Sequence, residues 1–276
     1  MIRVGTAGFS YKDWEGPVYP EAKPRGFDPL AFMAGFFPCI EMNVTFYRPP
    51  TPENVAKWLR SVEASPDFRF AFKLYRGLTH AREDETLAPF LDAMAVCRDA
   101  DRLGAILMQF PFFFENSQDN RRRLSRLASG LSGWPTVIEV RHNSWITDPA
   151  LDFLRRLDLS ICNIDICSTP TAIPPGSFAT GPIGYVRLHG RNREAWFDKK
   201  ATAAQKYDYL YGPAELSEWT AHVRRIAADA ETTFVITNNH FAGKAVANAF
   251  QLARELCGTS AEPPEQLVRR YPDLAS

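Results

Sequence analysis

Apolar residues along the chain gather in eight short runs, separated by stretches in which they recur at helical spacing. The runs are residues 2–8 (IRVGTAG), 39–47 (CIEMNVTFY), 68–75 (FRFAFKLY), 103–111 (LGAILMQFP), 136–145 (TVIEVRHNSW), 159–167 (LSICNIDIC), 183–190 (IGYVRLHG) and 232–240 (TTFVITNNH). Helical periodicity and start signals predict helices over 51–65, 87–100, 120–131, 148–158, 213–230 and 243–258. Strand–helix alternation of this kind argues for a parallel sheet, and eight repeats argue for a single α/β domain closed as a (β/α)8 TIM-type barrel over residues 1–258. An open doubly wound sheet is the rival, but no GxGxxG or GxxxxGK[ST] phosphate loop follows any run. The Pro-rich tail, 259–276, is expected to pack on the barrel or fray from it.

Period-two parity within the runs raises the question of function. Residues i and i+2 of a strand share a face, so Glu139 and Arg141 must lie side by side in an otherwise apolar segment. Unpaired charges inside a core cost several kcal/mol, on the order of the penalties for isolated buried ions. That face therefore meets matching charges or opens onto a solvated site. The other runs repeat the pattern toward their C-terminal ends: Glu41, Asn43 and Thr45; Lys73; Gln109; Asn163 and Asp165; Arg187 and His189; Asn238, Asn239 and His240. In a closed barrel these groups converge on one concavity, at the face where barrel enzymes carry their active sites. Their charges nearly cancel, so a buried ionic lattice is the structural alternative. Two long connections, 9–30 and 190–212, fall on the same face, and long ordered loops are more often functional than accidental.

Composition narrows the classes. Of 276 residues, 45% are hydrophobic and 23% charged, which favours neither disorder nor a membrane protein. Lys plus Arg, 32, equals Asp plus Glu, 32, so the bulk balance does not point to a nucleic-acid binder, although a local patch stays open. The N-terminus reads as a strand rather than a signal peptide, and no run approaches the ~18 apolar residues of a membrane helix. Five scattered cysteines fit reduced thiols in a cytoplasmic protein.

The candidate chemistry follows from residue types. His189 and His240 are the acid/base candidates, with Glu41 or Glu139 as partner and Lys73 as a charge-binding or electrophilic group. His142 lies near a strand end as well. Arg141, Arg187 and Arg191, with Asn43, Gln109, Asp165, Asn238 and Asn239, suit an anionic or multiply hydroxylated ligand. Tyr11, Trp14, Tyr47, Trp145 and Tyr207 either plug the mouth or form stacking walls. Glu41, Asp165, His189 and His240 are the set from which a divalent-metal site would be drawn, but no HExxH or similar spacing supports one. No GxSxG is present, and Ser144 follows His142 too closely for a simple triad.

At these same positions the chain resembles the DUF72 family, also called YecE-like. The matching segments are GTAGFSYKDWEGPVYP (5–20), EMNVTFYRPP (41–50), FAFKLYRGLTH (70–80), MQFPFFF (108–114), IEVRHNSW (138–145), YVRLHGR (185–191), YDYLYGPAEL (207–216) and TNNHFAGKAVANA (237–249). One departure is Thr237, where the family pattern often has Phe before Asn-Asn-His. The resemblance implies a TIM-type barrel and no established reaction. Its motifs fall on the rim residues named above.

The leading expectation is an enzyme acting on a small anionic or phosphorylated, sugar-like ligand at the C-terminal mouth, by hydrolysis, isomerisation or lyase chemistry. The alternatives are a nucleotide or single-stranded nucleic-acid binder using loop 190–212, and a metal-dependent hydrolase or endonuclease. No nucleotide-cofactor motif is present, and neither cofactor nor oligomeric state follows from the sequence.

Overall fold

The computed structural model describes residues 1–81, 83–258 and 261–275. Eight parallel strands, β1 (Ile2–Ala7), β2 (Cys39–Met42), β3 (Arg69–Lys73), β4 (Leu103–Gln109), β5 (Thr136–Glu139), β6 (Ser160–Asp165), β7 (Ile183–Leu188) and β8 (Thr232–Thr237), close into a barrel in sequence order. Closure is made by β1 against β8, with Ile2 opposite Thr233 and Gly5 opposite Ile236. The fold is the (β/α)8 TIM type.

Helices surround the barrel: α1 (Pro29–Ala34), α2 (Val44–Tyr47), α3 (Pro52–Ser61), α4 (Leu87–Asp99), α5 (Gln118–Gly130), α6 (Asp148–Arg156), α7 (Arg193–Phe197), α8 (Ala203–Lys206), α9 (Pro213–Asp229), α10 (Lys244–Cys257) and α11 (Glu265–Arg270). Local signals set their limits. Thr51 and Asn54 form a reciprocal capping box at the start of α3, and Ser117 Oγ accepts from Asn120 N at the start of α5. Gly258, at φ 72°, stops α10. The connection from β6 to β7, residues 166–182, carries no helix.

Two apolar layers result. One lies between sheet and helices, around Phe37, Phe70, Phe72, Trp145, Trp219 and Phe250. The other fills the barrel interior with Ala7, Cys39, Ala71, Ala105, Val137, Tyr185 and Phe234. A Cβ on Gly104 would meet the Phe234 ring at 2.5 Å, so glycine there is what admits the phenyl ring that fills the N-terminal end. In the tail, Leu267 and Leu274 are buried, and Gln266 Nε2 donates to Val18 O at 2.7 Å. All five cysteines are free. Cys39, Cys97, Cys162 and Cys167 are buried, whereas Cys257 is exposed. Among the described residues no helix is long and apolar enough to cross a membrane.

All eight strands end before their predicted runs do, so His189 and Asn238–His240 lie just beyond β7 and β8, and at β2 and β5 the shortfall is large enough to undo the predicted parity. β2 stops at Met42, so Asn43 and Thr45 belong to the start of α2 and not to a strand face. β5 stops at Glu139, and Arg141 lies just beyond it.

Candidate active site at the barrel mouth

An ionic lattice spans the barrel interior. Arg187 of β7 donates through Nη2 to Glu41 Oε1 of β2 at 2.6 Å, and through Nη1 to Glu139 Oε2 of β5. Tyr185 donates to the second Glu41 oxygen at 2.9 Å. Arg141 closes on Glu139 Oε1 with Nε at 2.9 Å and Nη2 at 2.8 Å. Burial alone would raise the Glu139 carboxyl, but the two guanidiniums overcome it and hold the group well below the usual carboxylate range. His189 sits beside this pair, its Nε2 3.5 Å from Glu139 Oε1, while Asn238 Nδ2 lies 2.8 Å from its Nδ1. An amide nitrogen can only donate, so Nδ1 accepts and the proton resides on Nε2. Burial lowers the His189 pKa to about 3, which keeps the ring neutral.

Above the lattice lies a cavity of about 570 Å³, a size suited to a small molecule. The segment after β1 contributes Gly8, Phe9, Ser10 and Tyr11 to its wall. Asn43, Val44 and Tyr47 come from the β2 end and α2, and Trp58 from α3. Lys73, Arg141, Arg187 and Asn238 supply donors, while Tyr207 and His240 complete the wall. The Tyr11 and His240 rings stack at 4.2 Å with 8° between their planes. Gly8 permits this: at φ 81°, a Cβ there would meet the Tyr11 hydroxyl at 2.7 Å. His240 Nδ1 is buried without a hydrogen-bond partner among the described residues, and burial lowers the ring's pKa.

Lys73 is the exceptional member. It is 9% exposed, and its Nζ stands 3.9 Å from the Phe46 ring centroid, with no carboxylate in salt-bridge reach among the described residues. Burial, followed by the charge of Arg187, brings its pKa down to about 7.

The predicted residues therefore separate into groups. Lys73, Asn43, Arg141, Arg187, Asn238, His240, Tyr11, Tyr47 and Tyr207 line the cavity. Glu41, Glu139 and His189 lie fully buried in the lattice beneath it. The others point elsewhere. Gln109 Nε2 donates to Phe110 O, and His142 Nδ1 bonds Ser144 Oγ while capping the turn at Asn143–Trp145. Trp145 Nε1 donates to Phe114 O, Trp14 Nε1 to His240 O, and both indoles are buried. Asn239 bonds Tyr209 O and Asn248. Asp165 accepts from Arg191 Nε at 2.9 and 3.0 Å, and Arg191 also reaches Glu215 at 3.1 Å, so this pair braces α9. Among the described residues no three His, Cys, Asp or Glu side chains gather as a metal site, so Glu41, Asp165, His189 and His240 are not brought together.

Five wall residues, Gly8, Phe9, Ser10, Val44 and Trp58, escaped the sequence reading. The aromatic density of 9–30 was a usable signal for the first group. Trp58 had none, because helical periodicity places it only on α3.

Comparison with known proteins accords with this architecture. Residues 3–270 match the family described as "Protein of unknown function DUF72". UPF0759 protein YunF of Bacillus subtilis is 28% identical over 273 residues, spanning 91% of this chain and 93% of that protein. A DUF72 family crystal structure from Enterococcus faecalis superposes with a TM-score of 0.82 at 26% identity, covering 96% of this chain and 99% of the other. One from Thermotoga maritima gives a TM-score of 0.80 at 30% identity, covering 93% and 99%.

Proposed function

This chain belongs to the DUF72 family of proteins of unknown function, and we propose that its barrel mouth is the active site of an enzyme acting on a small anionic, sugar-like ligand. The observation that carries this reading is the excess of unspent donors in the cavity. Glu41 and Glu139 are committed to Arg187 and Arg141. Lys73 Nζ faces the same space with no anion to meet among the described residues, and Arg141 Nη1 takes no part in the two bonds to Glu139. An incoming carboxylate or phosphate supplies the missing counter-charge. Tyr47, Trp58 and Tyr207 add aromatic surface to the wall, suited to the apolar side of a sugar. His240 lines the cavity, burial lowers its pKa, and it is the acid/base candidate of the wall. His189 is fully buried beneath the cavity, with Nδ1 on Asn238 and Nε2 3.5 Å from Glu139 Oε1, and does not line the wall. Calorimetric titration with inorganic phosphate and glucose 6-phosphate tests the reading. Binding weakened about tenfold or more by Arg141→Ala, the loss of one charge-assisted contact, is expected. Absence of binding by either probe overturns it.

One observation favours a second reading, a binder of nucleotides or single-stranded nucleic acid. Large apolar side chains stand exposed in segments that follow strand C-terminal ends: Tyr47 at 69%, Phe113 at 81% and Phe197 at 52%. Exposed Lys199 and Lys200 follow Phe197. Bases stack on such rings, and phosphate contacts make affinity fall with salt. Filter binding of an oligothymidylate across a salt series separates the two: a steep slope supports the second reading, and a flat, weak response removes it.

A further inference from the structure

Lys73 closes β3, and its backbone is pinned there. Thr45 Oγ1 donates to Lys73 O at 2.6 Å, and Leu74 N donates to Leu107 O at 2.9 Å. The side chain is thereby aimed into the cavity with its stem packed and its amine against the face of Phe46. A buried lysine kept for structure pairs with a carboxylate or spends its hydrogens on acceptors. Here neither occurs: no hydrogen bond or ion pair is made by Nζ among the described residues, and the two carboxylates below are held by arginines. Both guanidiniums also oppose a third positive charge beside them.

We infer that Lys73 is a nucleophilic amine that forms an imine with the carbonyl group of an anionic aldehyde or ketone, such as an open-chain sugar phosphate or a keto acid. The inference rests on the active-site reading above and names its substrate class. The nitrogen lone pair forms the C–N bond as the C=O π pair moves to oxygen. The two hydrogens of the amine and the carbonyl oxygen then leave as water while C=N forms, so no oxidant or reductant is consumed. A lysine amine shifted toward neutrality retains its lone pair near pH 7, as Schiff-base lysines require. Arg141 holds the anionic end of the ligand. Protonation of the imine nitrogen then draws electrons from the neighbouring carbon, and His240 is the cavity-lining base that can take a proton there. Isomerase and lyase chemistry both begin in this way.

Reductive trapping tests the assignment. The full chain is incubated at pH 7 with glyoxylate or dihydroxyacetone phosphate and cyanoborohydride, followed by intact-mass measurement and peptide mapping. The expected product is a single adduct at Lys73, heavier by the mass of the carbonyl compound less one oxygen. Its formation should be about tenfold or more faster than at any other lysine, reflecting the larger free-amine fraction. Inorganic phosphate should slow labelling of the wild-type chain, and Lys73→Arg should abolish it with the thermal transition retained. Glyoxylate is small enough to enter any part of the cavity, so its failure to label Lys73, or label spread evenly over surface lysines, overturns the imine. Phosphate binding retained without a Lys73 adduct removes only this inference, whereas loss of both removes the anion site as well.

Discussion

Arg187 Nη2 lies 2.6 Å from Glu41 Oε1, and this bond joins β7 to β2 through the inside of the barrel. The same guanidinium holds Glu139 of β5, so one side chain ties three strands that are not neighbours in the sheet. All three groups are essentially without solvent. Removing one member leaves an uncompensated buried charge, which costs about 3–5 kcal/mol. Arg187→Met and Arg187→Lys should each lower Tm by on the order of 10 °C, because an ammonium cannot fork to two carboxylates. Differential scanning calorimetry checks this. A lysine variant as stable as wild type would show that the fork contributes nothing.

Lys73 should behave oppositely. Its pKa is brought down to about 7 by burial and then by Arg187, against about 10.4 in an unfolded chain. Between these values the unfolded state binds more protons, so stability rises with pH across that window. The charged form is a burden at pH 7 and below, and the burden vanishes above about pH 10.4. Lys73→Met should therefore raise Tm by a few degrees at pH 6, with the gain shrinking by pH 9.5. An equal gain at both pH values would contradict the assigned ionisation.

His189 carries a depressed pKa of about 3, caused chiefly by burial. In the unfolded chain the ring protonates near pH 6.5. From about 6.5 down to about 3 the unfolded state takes up the extra proton, so wild-type stability falls as pH falls through that range. His189→Asn removes this contribution, and its Tm should decline less steeply between pH 7 and 4. Ring nitrogen shifts in NMR should also report a neutral His189 imidazole at pH 5. A charged ring at that pH sinks the prediction.

Arg191 and Arg141 are both basic residues beyond strand ends, yet they have different partners. Arg191 is engaged by Asp165 and Glu215, away from the cavity wall. Arg191→Ala should leave phosphate affinity within about twofold while costing on the order of 1–3 kcal/mol of stability for lost charged hydrogen bonds. Arg141→Ala should weaken phosphate binding instead. Titration and urea unfolding of the two variants separate these effects.

The sequence by itself determined the eight strands, their order and most helix limits, because these are written in local periodicity and capping. Thr51 and Gly258 bound their helices where the pattern places them. It also placed the polar groups at or just past the strand ends, since chain direction is a local property, although strand parity did not extend beyond Met42 or Glu139. Tertiary structure decided which of those groups meet a ligand and which meet each other. Glu139 and Arg187 are 48 residues apart, and Glu41 and Arg187 are 146 apart, so no spacing rule relates them. Trp14 and Trp145 are buried, and Trp58 reaches the cavity, for the same reason. Burial and charge pairing depend on distances set only when the barrel closes, and those distances separate the lattice from the open, donor-rich space above it.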